Sequence, residues 1–260
     1  MEPVFTTQIT KIKNGEKFSA EDTLVREIKL EITVNGERIG AVMATPVDQE
    51  ALAVGYLMSE NIISSFKDIK SMKIVNDGMG IEIEAKANSE NINKLNAEGV
   101  VISGCGRSVT ANIDPEAIEA KVINNPFSIE ASLLTRQMDQ FYTECPLYEQ
   151  TGCVHTAKLF INENEFFIGE DIAQHNTIDK AVGKAQMAGA DLSNSFLMVS
   201  GRLSSEMVAK AIMHQIPILV SRTASTCLGL MIAKKFNLTL GGFVREGRMN
   251  IYNAAERINV

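Results

Sequence analysis

A thiol set between glycines, in Val101-Ile102-Ser103-Gly104-Cys105-Gly106-Arg107-Ser108, is the residue of this chain best suited to covalent chemistry. The thiolate is the nucleophile, a neighbouring guanidinium favours that charged form, and glycine lets a partner's backbone come close. Cys105 beside Arg107 therefore reads as a reactive cysteine on a mobile loop. Free cysteines in general are more often buried and inert, so the surrounding residues have to decide. Cys227 is a rival thiol near the start of a helix, where the macrodipole would favour a thiolate. The apolar residues Leu228, Leu230, Met231 and Ile232 follow it at once and point to a buried structural cysteine. Cys145 and Cys153 flank an irregular stretch. Cys153-Val154-His155 holds metal-ligating residue types, yet there is no C-x-x-C pair and no H-E-x-x-H, so no closed zinc site is expected.

Other polar residues gather at the ends of elements in the second half. Glu170-Asp171-Ile172-Ala173-Gln174-His175-Asn176 joins a strand to a helix, where α/β folds place ligand sites, and His155 follows Thr151-Gly152 closely enough to reach the same side. Each has an alternative reading: Asp171 or Asn176 as a helix cap, His155 as a hydrogen-bonded core residue. Ser200-Gly201-Arg202 precedes a helix, and Gly241-Gly242-Phe243-Val244-Arg245-Glu246-Gly247-Arg248 ends the last strand. Glycine backbone with arginine grips phosphate through amides and guanidinium forks, although neither segment is a Walker A loop or dinucleotide fingerprint. Solvated turns are the alternative. Glu206 and Lys210, four apart, read as an ordinary helix pair.

These residues need elements to hold them. Apolar and polar residues alternate from Leu24 to Val34, predicting one half-buried strand, and Asn35-Gly36 is a hairpin turn into Ile39–Ala44. Thr45-Pro46 breaks that strand, and Asp48 is the expected N-cap of a helix through Met58. Asn76-Asp77-Gly78 marks another hairpin, and Ser128 the start of a helix through Phe141. Beyond it, strands are expected at 155–161, 166–169, 196–200, 218–221 and 238–242. Helices are expected at 176–188, 204–214 and 225–236. That βαβ spacing implies a layered α/β domain. The halves divide as 1–110, a smaller α+β domain ending in the Cys105 loop, and 111–260. At 260 residues the chain can bury a large core, and its net charge of −7 argues against nucleic acid and anionic membrane as partners. The N-terminus lacks a secretory pattern, no apolar run is long enough to span a bilayer, and four scattered cysteines suit a reducing cytoplasm.

From about Val34 to Ile258 the chain resembles the formate dehydrogenase accessory sulfurtransferase family of FdhD/NarQ type. The matching segments, in order, include Val34-Asn35-Gly36, Thr45-Pro46, Gly55-Tyr56-Leu57-Met58-Ser59-Glu60, Thr151-Gly152-Cys153-Val154-His155, Glu170-Asp171 with His175-Asn176 and Asp179-Lys180, Ser200-Gly201-Arg202 with Ser205-Glu206-Met207, Gly242-Phe243 and Met249-Asn250-Ile251-Tyr252. The resemblance implies a cytidine-deaminase-like α/β fold for the second half. It also implies passage of sulfur from a cysteine desulfurase to the bis-molybdopterin guanine dinucleotide cofactor of formate dehydrogenase. The first cysteine of the family's C-G-x-C-G persulfide loop corresponds to Cys105, and its cofactor-binding stretch to Phe243, Val244, Arg245, Glu246, Gly247 and Arg248. The expected partners are the desulfurase, the formate dehydrogenase apoenzyme and a second copy in a homodimer.

The chain departs from the family pattern in three places, and also lacks the deaminase zinc signature. Ser108 stands where the second loop cysteine would be, and Ala173-Gln174 replaces Gly-Arg. Thr223-Ala224-Ser225-Thr226 replaces Ser-Ala-Pro-Thr, and His155-Thr156-Ala157 lacks the acid of the deaminase zinc signature, which argues against deaminase chemistry. A single cysteine is enough to carry a persulfide, while a second could resolve it or form a disulfide. The competing reading is a cofactor escort or apoenzyme chaperone without sulfur chemistry.

Overall fold

The computed structural model describes residues 1–97 and 115–260; Cys105, Arg107 and Ser108 lie outside them. The chain opens with a hairpin of β1 (Val4–Lys13) and β2 (Glu16–Val25), turning at Asn14-Gly15 with both residues at positive φ. The sequence reading passed over this Asn-Gly signal. Leu24 to Val34 is consequently not one strand. Arg26 closes the hairpin's base, its amide donating to the Pro3 carbonyl and its Nε to that of Val4, and β3 (Ile28–Val34) starts afresh. β3 and β4 (Glu37–Ala44) pair antiparallel around Asn35-Gly36, at φ 51° and 79°. Such a turn matches the right-handed twist of paired strands. After α1 (Gln49–Ser59), β5 (Ile69–Val75) and β6 (Gly80–Ala85) complete a sheet of order β4-β3-β6-β5, with α2 (Ser89–Ala97) following. Leu30, Ile32, Val34, Ile81 and Ile83 alternate onto its covered face, against Leu52 and Leu57 of α1.

The second half begins with β7 (Ile129–Glu130), α3 (Ala131–Asp139) and α4 (Pro146–Thr151). Then come β8 (His155–Phe160), β9 (Phe166–Asp171), α5 (Gln174–Met187), β10 (Phe196–Val199), α6 (Ser205–Met213), β11 (Ile218–Ser221), α7 (Cys227–Lys235), β12 (Thr239–Arg245), β13 (Arg248–Asn253) and β14 (Ile258–Asn259). Ser128 does not cap α3. The residues after it pair as β7 with β14, and the helix starts only at Ala131. The main sheet has the order β13-β12-β11-β10-β8-β9, with β10, β11 and β12 parallel and the flanking strands antiparallel. Leu197 and Val199 face α5, α6 and α7, while Phe196 and Met198 face α3. The result is an α/β sandwich, helices on both faces of a mixed sheet.

The two sheets are joined by α1 lying on α5. A Cβ at Gly55 would fall on the carbonyl oxygen of Asp179, and one at Gly183 on that of Ala51. Ion pairs flank this close approach. Lys180 Nζ is 2.6 Å from Asp171 Oδ2, both side chains fully buried, and Lys210 Nζ is 2.8 Å from both oxygens of Asp179. Burial pushes the Lys180 ammonium down, and the Asp171 charge opposes it. Thr45 ties in the first sheet, its amide donating to Asp171 and its carbonyl accepting from Lys180. Asp48, expected as a helix cap, makes no capping bond. It sits at φ 55° and pairs with Lys184 at 2.5 Å. Glu206 and Lys210 likewise turn away from each other, toward His175 and Asp179.

Deep in this junction, Ser59 Oγ donates to Asp179 Oδ1 at 2.9 Å and lies 3.0 Å from His214 Nε2. Enclosure first, and the Lys210 charge second, lower the His214 pKa to about 3.

Two outcomes follow from this packing. Gly183→Ala brings a methyl group against backbone that no rotamer change can clear. Its net effect is a loss of about 1–3 kcal/mol despite alanine's better helix propensity, read as a lower urea midpoint. The His214 imidazole takes its proton near pH 6.5 when unfolded but only near 3 when folded. Its contribution to stability is therefore complete above 6.5 and declines as pH falls through that window to about 3. Replacing it by glutamine should flatten the acid limb of a denaturation series, and unchanged slopes would refute the assignment.

Candidate functional site: a polar mouth at the carboxyl edge of the parallel strands

Parallel strands aim the following loops at one edge, and here three helices start there. Ser204 caps α6 by accepting from the Met207 amide, and Thr226 caps α7 by accepting from Gly229 at 3.1 Å. At the start of α5, Asp171 Oδ1 accepts from the Ala173 amide at 2.8 Å and from Asn176 Nδ2 at 3.0 Å. Asp171 thus fastens the turn that leads into α5 and is an ion-pair partner, but the helix itself has no side-chain N-cap. Positive helix ends at a single edge favour an anion there.

The loops after β10 and β11 are fastened together. Ser221 Oγ donates to the Gly201 carbonyl at 2.6 Å, the Leu203 amide donates to Ala224, and that of Thr226 to Leu203. A Cβ at Gly201 would meet the end of the Gln174 side chain and push its amide aside. Gln174 Nε2 in turn donates to the Arg202 carbonyl at 2.5 Å. Being antiparallel to β10, β8 begins at this same edge and brings His155 with it. Ser200 Oγ accepts from the Thr156 amide at 3.0 Å and lies 3.2 Å from His155 Nδ1. Burial lowers the His155 pKa, with Arg202 and His175 adding to the effect and Asp171 opposing it. His175 is held 2.8 Å from Glu206. His155 is half-buried and hydrogen-bonded at this edge rather than a core residue.

The other expected residues are distributed around this mouth. Phe243 to Arg248 is a hairpin, since β12 runs on to Arg245 and turns through Glu246-Gly247 into β13, a strand the sequence reading missed. Phe243 lies in a bulge at φ 54°, its amide donating to the Thr223 carbonyl at 3.0 Å. The Phe243 ring and Arg245, Glu246, Gly247 and Arg248 are exposed, while Val244 packs into the core against α3 and can offer a ligand only its backbone. Glu170 is not at the mouth. Buried, it accepts from the amides of Leu147 and Tyr148 and caps α4 from a distance. Cys145 is buried, which pushes its thiol up to about 11, with Lys158 opposing. Cys227, expected to be buried, is exposed on the first turn of α7 because that turn faces the edge rather than the sheet. Among the described residues no cluster of histidine, cysteine and carboxylate could hold a metal, and no helix is long and apolar enough to cross a membrane.

One part of the site had no sequence reading. Tyr142 and Tyr148 stack at 3.7 Å, and Arg222, directly after β11, lies 5.9 Å over Tyr142 while donating to the Met138 carbonyl. Its signal would have been its position, an arginine on the first residue past a parallel strand.

Known proteins are similar to this chain over nearly its whole length. A "Sulfur carrier protein FdhD" of Wolinella succinogenes is 41% identical over 92% of this chain and 84% of its own. Proteins of the same name from Picrophilus torridus and Streptomyces coelicolor are 33% and 32% identical, covering 99% and 96% of this chain and 100% and 94% of theirs. The crystal structure of a Desulfotalea psychrophila protein, assigned as a formate dehydrogenase accessory protein, superposes with a TM-score of 0.79. It shares 26% identity and covers 99% of this chain and 100% of its own. The model of the FdhD/NarQ family matches residues 25–259, and the chain belongs to that family.

Proposed function

We propose that this protein is a sulfur carrier in the maturation of formate dehydrogenase, taking sulfur from a cysteine desulfurase and passing it to the bis-molybdopterin guanine dinucleotide cofactor. The observation that carries this reading is a match along almost the full chain to relatives named sulfur carrier proteins. The mouth supports it with the chemistry that a large anionic cargo requires. Helix starts and the exposed arginines 202, 245 and 248 supply positive potential, and the β12–β13 hairpin offers Phe243 to Arg248 as the grip for the nucleotide end.

Cys105 is the carrier. Its thiolate attacks the outer sulfur of the donor's persulfide, a new S–S bond forms on Cys105 Sγ, and the donor cysteine leaves as thiolate. Arg107 stabilises the charge on the attacking and carried sulfur. With Ser108 in place of a second thiol, the loop has no cysteine of its own to displace the bound sulfur as a disulfide. The protein works as a cytoplasmic homodimer alongside the desulfurase and the apoenzyme.

Incubation with a desulfurase and radiolabelled cysteine tests the carrier role directly. The wild type should acquire reductant-labile label, and Cys105→Ala should fall to background. Equal labelling of the two would remove Cys105 from the reaction. In a strain lacking the protein, Cys105→Ser should fail to restore formate dehydrogenase activity, whereas full restoration would favour an escort without sulfur chemistry.

A further inference from the structure

The ribbon of β1 and β2 joins no larger sheet, and a two-stranded hairpin is marginal by itself. β2 rests against α4, whereas β1 has β2 as its one strand partner among the described residues. The Arg26 amide donates to the Pro3 carbonyl at 2.8 Å, which fixes the phase of the ladder. Pro3 and every second residue on to Lys13 bond to β2. The N–H and C=O groups of Val4, Thr6, Gln8, Thr10 and Ile12 therefore point outward along the free edge. Among the described residues only the Val4 carbonyl is met there, by Arg26 Nε at 3.3 Å. Edge strands are commonly blunted by proline, bulges or charge. From Val4 to Lys13 there is no proline, no carboxylate and no break in register, and both lysines, Lys11 and Lys13, sit toward the turn. Ile12 is left 68% exposed.

The strand also reads nearly alike from either end about Gln8. Val4 mirrors Ile12, Thr6 mirrors Thr10, and Thr7 mirrors Ile9. A two-fold axis normal to a ribbon sets the same strand of two copies antiparallel and keeps each side chain on its own face. We infer that the outer edge of β1 is a docking surface for β1 of a second copy of this chain, centred on Gln8, so that the two ribbons form one four-stranded sheet. Val4 then lies opposite the partner's Ile12 and Thr6 opposite the partner's Thr10, which are favourable cross-strand pairs. Lys11 comes opposite the partner's Phe5, and the two-fold sends the lysines of the two copies to opposite ends. The Gln8 side chain stays on its own ribbon, donating to Glu21 and accepting from Ser19, so the centre is made by backbone. All five outward residues find bonded partners in this register and no other. It gives about ten backbone hydrogen bonds, as many as a typical protein interface has. The inference rests on the homodimer of the proposed function and names its contact.

Light scattering on the full chain reads the mass, and oxidation of cysteine variants reads the register. The wild type should weigh as two chains. Residues in a bonded antiparallel pair have Cα atoms about 5.5 Å apart, a span that a disulfide fits. Gln8→Cys should therefore form a disulfide-linked dimer beyond any that the native cysteines give in the wild type. Thr10→Cys should not, because its two copies lie about 14 Å apart. Thr6→Lys with Thr10→Lys sets lysine against lysine across the contact and should halve the mass. Thr6→Glu with Thr10→Lys sets opposite charges there and should keep it. Both threonines are exposed, so the ribbon tolerates these changes within one chain. A wild type that weighs as one chain overturns the contact and the homodimer together. A dimer that the double-lysine variant leaves intact, or in which Gln8→Cys links no better than Thr10→Cys, overturns the contact and leaves the homodimer standing. Should the double-lysine variant fail to fold, the cross-linking alone decides.

Discussion

The backbone contact between α1 and α5 governs the rest of the molecule. Gly55 and Gly183 let the two helices meet carbonyl against Cα, and no side chain fits between them. Polar groups beside that contact lose their water, so each must find a partner within the protein. Lys180 with Asp171, Lys210 with Asp179, and Ser59 with His214 are those partners, drawn from both halves of the chain. Removing one member of either ion pair costs far more than the pair contributes, because the survivor stays buried and charged.

The same network reaches the mouth through one carboxylate. Asp171 accepts from the Ala173 amide just before α5 and from the Thr45 amide of the first half, and neutralises Lys180. Gln174 and His175, three and four residues on, therefore hold positions set by the packing of the other sheet. Gln174 then bonds the loop carrying Arg202, and His175 bonds Glu206 at the start of α6. The first half, though distant from the carboxyl edge of the main sheet, is in this way part of its geometry.

What could be read from sequence follows the range of the interaction. Asn35-Gly36 sets its own turn through local backbone preference, and β11 falls at Ile218–Ser221 as its continuous apolar run indicates. Family motifs located the strand-end loops. Readings failed where a distant partner prevailed. Asp48 forgoes capping for Lys184, Ser128 yields its helix start to pairing with Ile258-Asn259, and Glu206 and Lys210 each take a partner on α5. The exposure of Cys227 and the Tyr142–Tyr148 stack depend on tertiary placement, for which sequence spacing holds no signal.

The mixed direction of the main sheet has a consequence in time. Strands running one way contribute their ends to the mouth, and the reversed β8 contributes its beginning. Tyr142, His155, His175, Arg202, Arg222 and Phe243 come from segments spread over about a hundred residues, each placed by pairings made elsewhere. As the chain leaves the ribosome, the mouth is not complete before β12 docks beside β11. The mouth is therefore complete only when the chain is almost fully made, and a chain cut short lacks the β12–β13 hairpin that borders it.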